Sequence, residues 1–265
     1  MSMNRRDFLR LAGITSIATL GGTTALTLVR KNIEASQMTP EPKALTGKRW
    51  GMVVDMSKFK TKDDIRKCTE ACHSIHNVPT IASPKEEIKW IWDEKFEHAF
   101  PGQEHAYISD AIKHMPFIVL CNHCDNPPCV RVCPTKATFK RADGIVMMDM
   151  HRCIGCRFCM AGCPYGARSF NWRDPRPFIA KNDPEFPTRM KGVVEKCTLC
   201  YERLAVGKMP ACVEAAPKGA LLFGDLEDPN SEVRKIVANK LTIRRKPELG
   251  TGPAVYYLIG GGEHA

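Results

Sequence analysis

The sequence predicts an α+β fold made of small cysteine-rich modules with sparse regular secondary structure. The chain has 265 residues, and its 13 cysteines fall in four short groups. Between the second and third groups, a tight-turn sequence joins two strand-like runs, residues 137–141 and 145–149. Because bound metal replaces much of the apolar core in modules of this kind, we expect the helices and strands to be short.

The second and third cysteine groups are two variants of the run C-x-x-C-x-x-C-x-x-x-C-P, which binds [4Fe-4S] clusters in ferredoxins. In two-cluster ferredoxins, the fourth cysteine of each run ligates the cluster that the other run holds. We therefore predict two crossed ligand sets: Cys121, Cys124 and Cys129 with Cys163, and Cys153, Cys156 and Cys159 with Cys133.

The first and fourth cysteine groups form a third ligand set under the same crossing rule. The fourth group supplies three cysteines, but Ala216 stands where a fourth would precede Pro217. The first group has only Cys68 and Cys72, and Cys72 occupies the fourth position of a run. The predicted third set is Cys72 with Cys197, Cys200 and Cys212.

A fourth cluster is predicted to be lost, because only Cys68 remains to bind it. Lys62 and Ile65, or Phe59 if the spacing is longer, occupy the positions of its other early ligands, and none of them can bind iron. Ligands are missing from both halves of the chain at the same hypothetical site, as the crossing rule requires when one site decays. The sequence thus predicts three [4Fe-4S] clusters.

Zinc binding and disulfide bonding are the other common uses of clustered cysteines. Pairs of the form C-x-x-C also build structural zinc sites, but such sites need neither the C-P ending nor the third cysteine of each tight triplet. A zinc-bound structural or scaffolding protein is the alternative from a different functional class. A disulfide framework is disfavoured by the N-terminal sequence, which predicts export of a protein that is already folded.

Residues 1–35 resemble a twin-arginine export signal. Arg5 and Arg6 precede an apolar stretch from Leu11 to Val29. This route carries folded proteins, so clusters can be built on reduced thiolates before the chain reaches an oxidising compartment. The stretch is either cleaved or retained as an apolar anchor helix. In both cases we expect a periplasmic or other extracytoplasmic location, in association with the membrane.

The positive charge of the chain does not indicate nucleic-acid binding. The formal net charge is +10, of which residues 1–35 contribute +3 through five Arg/Lys against two acids, leaving +7. Each cubane with four thiolates adds about two negative charges, so three clusters bring the folded body close to neutral. No basic stretch with interleaved aromatic residues occurs, and we expect no nucleic-acid partner.

The cysteine pairing predicts that one ferredoxin-like module is inserted into another. The central two-cluster module spans residues 117–175, and the outer module combines residues 50–83 with residues 190–226. The remaining parts are the signal, a linker, a connecting segment, and a C-terminal helix and tail, at residues 1–35, 36–49, 84–116 and 227–265.

Local patterns predict one more strand and one more helix. Trp50–Met56 has the composition of a strand that leads into the first cysteine group. After Pro229, a short helix is predicted with Asn230 or Ser231 at its N-cap.

Residues 83–100 have an ambiguous pattern. Ser83 and Glu86 form a capping-box pattern that predicts a helix. The alternation of large apolar residues from Ile88 to Trp92 favours a strand equally well. Both predictions remain open at the level of sequence.

We expect no catalytic site in this chain. His73, His76 and His123 lie beside cluster cysteines, but histidine ligation belongs mainly to other cluster types, so we expect them to be neighbours of the clusters or surface residues. Neither a Gly-rich phosphate loop nor a Ser-His-Asp order is present. A chain that binds redox centres without a substrate site is expected to relay electrons.

Three motifs, CNHCDNPPC, CIGCRFCMAGCPYGAR and EKCTLCYERLAVGKMPAC, resemble those of the iron-sulfur electron-transfer subunits of membrane-associated oxidoreductases. This is the family of NrfC and of the polysulfide reductase and DMSO reductase electron-transfer subunits, and the resemblance covers about residues 50–226. Its members usually have four [4Fe-4S] clusters. This chain departs from them because it lacks ligand cysteines between Phe59 and Ile65 and at Ala216. With its export signal and three-cluster pattern, it is most similar to DsrO/HmeA-type subunits of DsrMKJOP complexes.

That resemblance implies an extracytoplasmic electron-transfer subunit in dissimilatory sulfur metabolism. Its implied partners are an NrfD-like integral membrane quinone-reactive subunit, a multihaem cytochrome and other redox subunits, including a heterodisulfide-reductase-like pair. The alternative is the electron-transfer subunit of an exported molybdopterin oxidoreductase of the tetrathionate, polysulfide or nitrite reductase type.

Overall fold

The computed structural model describes residues 41–258, and the predicted export signal at residues 1–35 lies outside them. The strands are β1 (Trp50–Asp55), β2 (Ile91–Lys95), β3 (Pro116–Leu120), β4 (Thr138–Lys140), β5 (Val146–Met148), β6 (Ser169–Phe170), β7 (Val194–Glu195), β8 (Leu221–Asp225), β9 (Thr242–Ile243) and β10 (Val255–Leu258). The helices are α1 (Lys62–Ile75), α2 (Phe96–Ala99), α3 (Asp110–Lys113), α4 (Pro128–Arg131), α5 (Phe158–Ala161), α6 (Tyr201–Ala205), α7 (Ala211–Ala215) and α8 (Glu232–Asn239). Single 3-10 turns occur at Met56–Lys58, Pro101–Gln103, Arg176–Phe178 and Pro247–Leu249. This mixed α/β structure of short elements agrees with the predicted fold class.

A four-stranded sheet in the order β8-β1-β10-β9 joins distant parts of the chain. Every residue of β1 is buried, and this strand pairs antiparallel with β8 and parallel with β10. The strand predicted at Trp50–Met56 is therefore present. Strand β10 was not predicted from the sequence. Its parallel partner β1 lies about 200 residues earlier, and local patterns carry no information on such pairing.

Helix α8 packs against the outer side of this sheet, on β8 and β1. It begins directly after Ser231, as predicted, and buries Val233. The approach is close at Gly224 of β8, where an added Cβ atom would lie 2.6 Å from the Ser231 hydroxyl and 3.4 Å from a Val233 methyl group. A glycine at this position lets the start of the helix contact the strand.

Helix α1 carries the first cysteine group and was not predicted. Its start is fixed by a capping box, in which the Thr61 side chain accepts from the Asp64 N–H and the Asp64 carboxylate accepts from the Thr61 N–H. One helical face is buried and consists of Ile65, Cys68 and Cys72. The helix packs against α7 of the fourth cysteine group, so the two outer cysteine groups are brought together.

The ambiguous segment at residues 83–100 forms strand β2 at Ile91–Lys95, followed by the one-turn helix α2 at Phe96–Ala99. Strand β2 pairs antiparallel with β3, and Ile91 lies opposite Leu120. The Ser83 and Glu86 pattern produces only a turn, in which the Glu86 N–H donates to the Ser83 carbonyl at 3.0 Å. The helix prediction is thus wrong here, because pairing with β3 satisfies the backbone and buries the large apolar residues.

The hairpin predicted between the second and third cysteine groups is confirmed. Strands β4 and β5 pair antiparallel, and the Arg141 N–H donates to the Ile145 carbonyl at 2.9 Å across the turn. Gly144 has a φ of 85°, a conformation that side chains rarely adopt. A Cβ atom there would also collide with the buried Arg49 guanidinium.

Among the described residues, none of the helices combines the length and apolar character needed to cross a membrane.

Candidate metal centres

All 13 cysteines are free thiols, and twelve of them gather in three sets. The inner set consists of Cys121, Cys124, Cys129 and Cys163. Burial, together with the neighbouring thiolates of Cys121, Cys163 and Cys129, raises the pKa of the Cys124 thiol to about 12. Four thiolates that repel one another in a buried place are a donor set suited to a metal cluster, because metal coordination removes the repulsion.

The distal set consists of Cys133, Cys153, Cys156 and Cys159, which line one cavity together with Met148 and Val194. Burial acts to raise the pKa of the Cys133 thiol, but hydrogen bonds from Thr138, Thr135 and Ala137 outweigh it and lower the pKa. The Thr138 N–H lies 3.5 Å from the Cys133 sulfur. Such hydrogen bonds stabilise a thiolate and are common around cluster sulfurs.

The outer set consists of Cys72, Cys197, Cys200 and Cys212. Burial raises the pKa of the Cys72 thiol well above its ordinary value, and the thiolates of Cys197, Cys200 and Cys212 add to this effect. Helix α1 places Cys72 in the set, and helix α7 places Cys212 there by packing against α1. The structure thus brings together the two outer groups that the crossing rule pairs.

Tight backbone turns aim the thiols of each set at a common point. In the third cysteine group, Gly155 and Arg157 have φ values of 72° and 62°. In the fourth group, Leu199 and Cys200 have φ values of 53° and 52°. Left-handed conformations at residues other than glycine are strained and occur mainly at functional sites. Here they wrap the chain around the space that the thiols face.

The inner set lies between the other two sets. The thiolate of Cys129 in the inner set acts on the thiol of Cys159 in the distal set and contributes to its raised pKa, after burial. On the other side, the thiolate of Cys121 acts in the same way on Cys197 of the outer set. Packing agrees, because Cys129 belongs to one buried cluster with Cys159, whereas Cys121 belongs to another with Cys197. The order is therefore distal, inner, outer.

Cys68 lies one helical turn before Cys72 and close to Cys212 of the outer set, where its thiolate contributes to the raised pKa of Cys212, after burial and Cys197. The Cys68 side chain is fully buried and its thiol donates to the Asp64 carbonyl at 3.3 Å, within helix α1. Burial raises the pKa of this thiol to about 11, with a smaller contribution from Asp64. Ile65 and Cys68 belong to the main hydrophobic cluster, and Phe59 and Ala216 pack against it. Hydrophobic packing therefore occupies the positions where a fourth cluster would need ligands.

Two of the three histidines beside the cysteines are buried and hold the cysteine loops in place. The Nδ1 atom of His123 accepts from the Val146 N–H at 3.0 Å, and burial, with nearby Lys196, Arg49 and Arg168, holds the pKa of His123 well below its usual range. His123 is therefore a neutral side chain that ties the second cysteine group to β5.

His76 connects the outer set to helix α6. Its Nδ1 atom lies 2.8 Å from the Cys72 carbonyl oxygen and 3.5 Å from the Cys72 sulfur, and its Nε2 atom lies 2.8 Å from Glu202. The possible ligand atoms of His76, Cys200 and Glu202 lie within 4.8 Å of one another. Because Cys200 belongs to the outer set and the other two are hydrogen-bonded to each other, we interpret this group as a support for the outer set.

Buried cations near the cysteines are a feature that the sequence analysis missed. Arg49, Arg168 and Lys196 are each less than 10% exposed. No sequence pattern distinguishes them from the many surface lysines and arginines of the chain. Their burial follows from tertiary packing alone.

Comparisons with known proteins agree with this arrangement. A family model described as a 4Fe-4S dicluster domain matches residues 112–177 and 183–226, which contain every cysteine except Cys68 and Cys72. An Hdr-like menaquinol oxidoreductase iron-sulfur subunit 1 from Archaeoglobus fulgidus is 41% identical over 98% of this chain and 100% of its own length.

Two further relatives are similar over most of their length. Protein NrfC from Escherichia coli is 34% identical over 97% of this chain and 95% of its own. The iron-sulfur cluster-binding subunit of a menaquinone reductase from Nitratidesulfovibrio vulgaris is 34% identical over 79% of this chain and 88% of its own.

Proposed function

The chain belongs to the family of iron-sulfur electron-transfer subunits of oxidoreductase complexes that includes NrfC, and we propose that it relays electrons through three [4Fe-4S] clusters. The inner, distal and outer sets are the proposed ligands, with four thiolates each. The observation that carries this proposal is the position of the inner set, whose cysteines lie beside cysteines of both other sets. Three clusters held in this order form a continuous path for electrons.

The count of three clusters rests on the contrast between Cys72 and Cys68. Cys72 is coupled to all three other thiols of the outer set, whereas Cys68 acts on Cys212 and donates its thiol to the Asp64 carbonyl within its own helix. The donor set of four cysteines fits a cubane at each of the three sets. The positions equivalent to further ligands, Ile65 and Ala216, carry apolar side chains that support the loss of a fourth cluster.

The proposed complex lies at the extracytoplasmic face of a membrane. The twin-arginine pattern at Arg5 and Arg6 supports export, and the chain then docks on an NrfD-like integral membrane quinone-reactive subunit, near a multihaem cytochrome and other redox subunits. Relatives named as a menaquinol oxidoreductase subunit and a menaquinone reductase subunit support exchange of electrons with a quinone pool. The proposed metabolic role is dissimilatory sulfur metabolism. The alternative partner is a molybdopterin oxidoreductase subunit.

Cluster analysis of the full chain, purified without oxygen, tests the cofactor proposal. We expect about 12 iron atoms and about 12 acid-labile sulfides per chain, with visible absorption that bleaches on reduction. About 16 of each would show that a fourth cluster survives, and about eight would show that one of the three sets is empty. Zinc with negligible sulfide would refute the electron-relay proposal altogether.

Affinity purification of the tagged chain from solubilised host membranes tests the partner proposal. We expect a polytopic quinone-reactive subunit and a multihaem cytochrome to copurify, identified by mass spectrometry. A molybdopterin subunit in their place would support the alternative complex.

A further inference from the structure

Arg168 is a buried arginine located between the inner and distal sets. Its side chain is 5% exposed. The Nη1 atom donates to the Thr138 hydroxyl at 3.1 Å and lies 3.8 Å from the Met148 sulfur. Its Nη2 atom is buried and has no hydrogen-bond partner within the described part of the chain. A buried cation with an unused donor requires a nearby negative charge.

The negative charges beside Arg168 are cysteine thiolates from both sets. Met148, which the guanidinium contacts, packs with Cys129 of the inner set and Cys159 of the distal set. Thr138, whose hydroxyl accepts from Arg168, also directs its N–H at the Cys133 sulfur of the distal set. A guanidinium is not deprotonated in proteins, whatever its surroundings. Arg168 therefore stays charged at the junction of the two sets.

Two other buried arginines, Arg189 and Arg49, are balanced by carboxylates. Arg189 pairs with Glu195 at 2.7 Å, and Arg49 pairs with Asp125 at 3.0 Å. Within residues 41–258, Arg168 forms no salt bridge with a carboxylate of the protein. The charge of Arg168 is thus available to interact with the clusters that the inner and distal sets are proposed to bind.

We propose that Arg168 is a positioning residue that raises the reduction potentials of the inner and distal clusters and leaves the outer cluster unaffected. The inference rests on the proposed cluster ligation by these two sets. Uptake of one electron adds one negative charge to a cluster, and a fixed cation at the same place favours that charge. The effect is strong because Arg168 is buried, where charges are screened little.

Potentiometric titrations monitored by EPR test this role with the cluster-loaded full chain. In Arg168→Met, we expect two of the three midpoint potentials to become more negative while the third keeps its wild-type value. In Arg168→Lys, which keeps the charge, we expect the two potentials to stay closer to wild type than in Arg168→Met. Unchanged potentials in a fully loaded Arg168→Met protein would overturn the proposal, as would an equal shift of all three.

Arg131 provides a matched control, because it is an exposed arginine of α4 between Cys129 and Cys133. Arg131→Met removes the same charge from a position that water screens, so we expect a smaller shift than in Arg168→Met. A shift of equal size in both variants would contradict the importance of burial.

Iron and sulfide contents, measured first, separate this inference from the proposed function. If wild-type protein lacks clusters, the proposed function fails and the inference fails with it. If wild-type protein is loaded but Arg168→Met and the neutral variant Arg168→Gln lose iron while Arg168→Lys keeps it, the required property is the charge, which supports the inference. Loss of iron from all three variants, Arg168→Lys included, would instead assign Arg168 a purely structural role.

Discussion

The Nε2 atom of His76 lies 2.8 Å from the Oε1 atom of Glu202, and this contact joins residues that are 126 positions apart in the sequence. His76 ends helix α1, four residues after Cys72, and Glu202 follows Cys200 in helix α6. The His76 ring also stacks on Trp90, with ring centroids 4.6 Å apart. The early and late halves of the outer set are thus held together by side chains as well as by the proposed cluster.

Replacing Glu202 should loosen this connection. Glu202→Ala removes the partner of a buried histidine, and we expect a loss of about 1–3 kcal/mol in the free energy of unfolding. Denaturant titration without oxygen, with circular dichroism as the readout, measures this free energy. Glu214→Ala is the control, because Glu214 lies in helix α7 and pairs with Arg203 at the surface. Its loss should cost about 0–1 kcal/mol. Equal losses would mean that the contact between His76 and Glu202 stabilises the fold no more than a surface ion pair does.

Removal of Cys72 and of Cys68 should have different consequences, although both lie on one face of helix α1. Cys72→Ala leaves the outer set with three thiols, so we expect an altered EPR signal from one cluster, loss of iron and a lower melting temperature. Cys68→Ala should keep all three clusters, because the Cys68 thiol donates to the Asp64 carbonyl of its own helix and the outer set keeps its four thiols without it. Equal iron loss in the two variants would overturn the assignment of the outer set.

Introducing a cysteine at Ala216 should not create a fourth cluster. The change restores one ligand position, but Lys62 and Ile65 still lack thiols. Iron and sulfide contents of Ala216→Cys are therefore expected to equal those of the wild type. A gain of about four iron atoms per chain would mean that other side chains complete the site.

Export should depend on the arginine pair at the N-terminus. When Arg5 and Arg6 are both replaced by lysine, we expect folded protein with its clusters to accumulate in the cytoplasm. Cell fractionation with immunodetection measures the distribution. Replacing Arg30 and Lys31 with glutamine, after the apolar stretch, is the control for a general charge effect and should leave export intact. Normal export of the double lysine variant would refute the twin-arginine assignment.

Patterns that depend on short sequence separation predicted the structure well. The hairpin of β4 and β5 follows from Ala142-Asp143-Gly144, and the start of α8 follows from Ser231. The crossed assignment of cysteines to individual clusters stays a prediction, and the structure places the cysteines of each predicted set near one another.

Features that depend on tertiary contacts could not be predicted in this way. The strand at Ile91–Lys95 was ambiguous until its pairing with β3 was known, and the parallel partner of β10 lies about 200 residues earlier in the chain. Helix α1 was not predicted, although Thr61 and Asp64 form a capping box. Two of the three residues on its buried face, Cys68 and Cys72, are cysteines, and their spacing was interpreted as part of a cluster-binding run. The burial of Arg168 arises only when two cysteine groups meet around it.

The position of β1 between β8 and β10 has a consequence for biosynthesis. A ribosome releases Trp50–Asp55 long before it has made either neighbouring strand, and Val255–Leu258 is the last strand described. During that interval, Cys72 emerges from the exit tunnel well ahead of Cys197, Cys200 and Cys212. The nascent chain therefore carries an unfinished sheet until Val255–Leu258 has been made, and the outer set cannot hold a cluster with all four ligands until Cys212 has emerged.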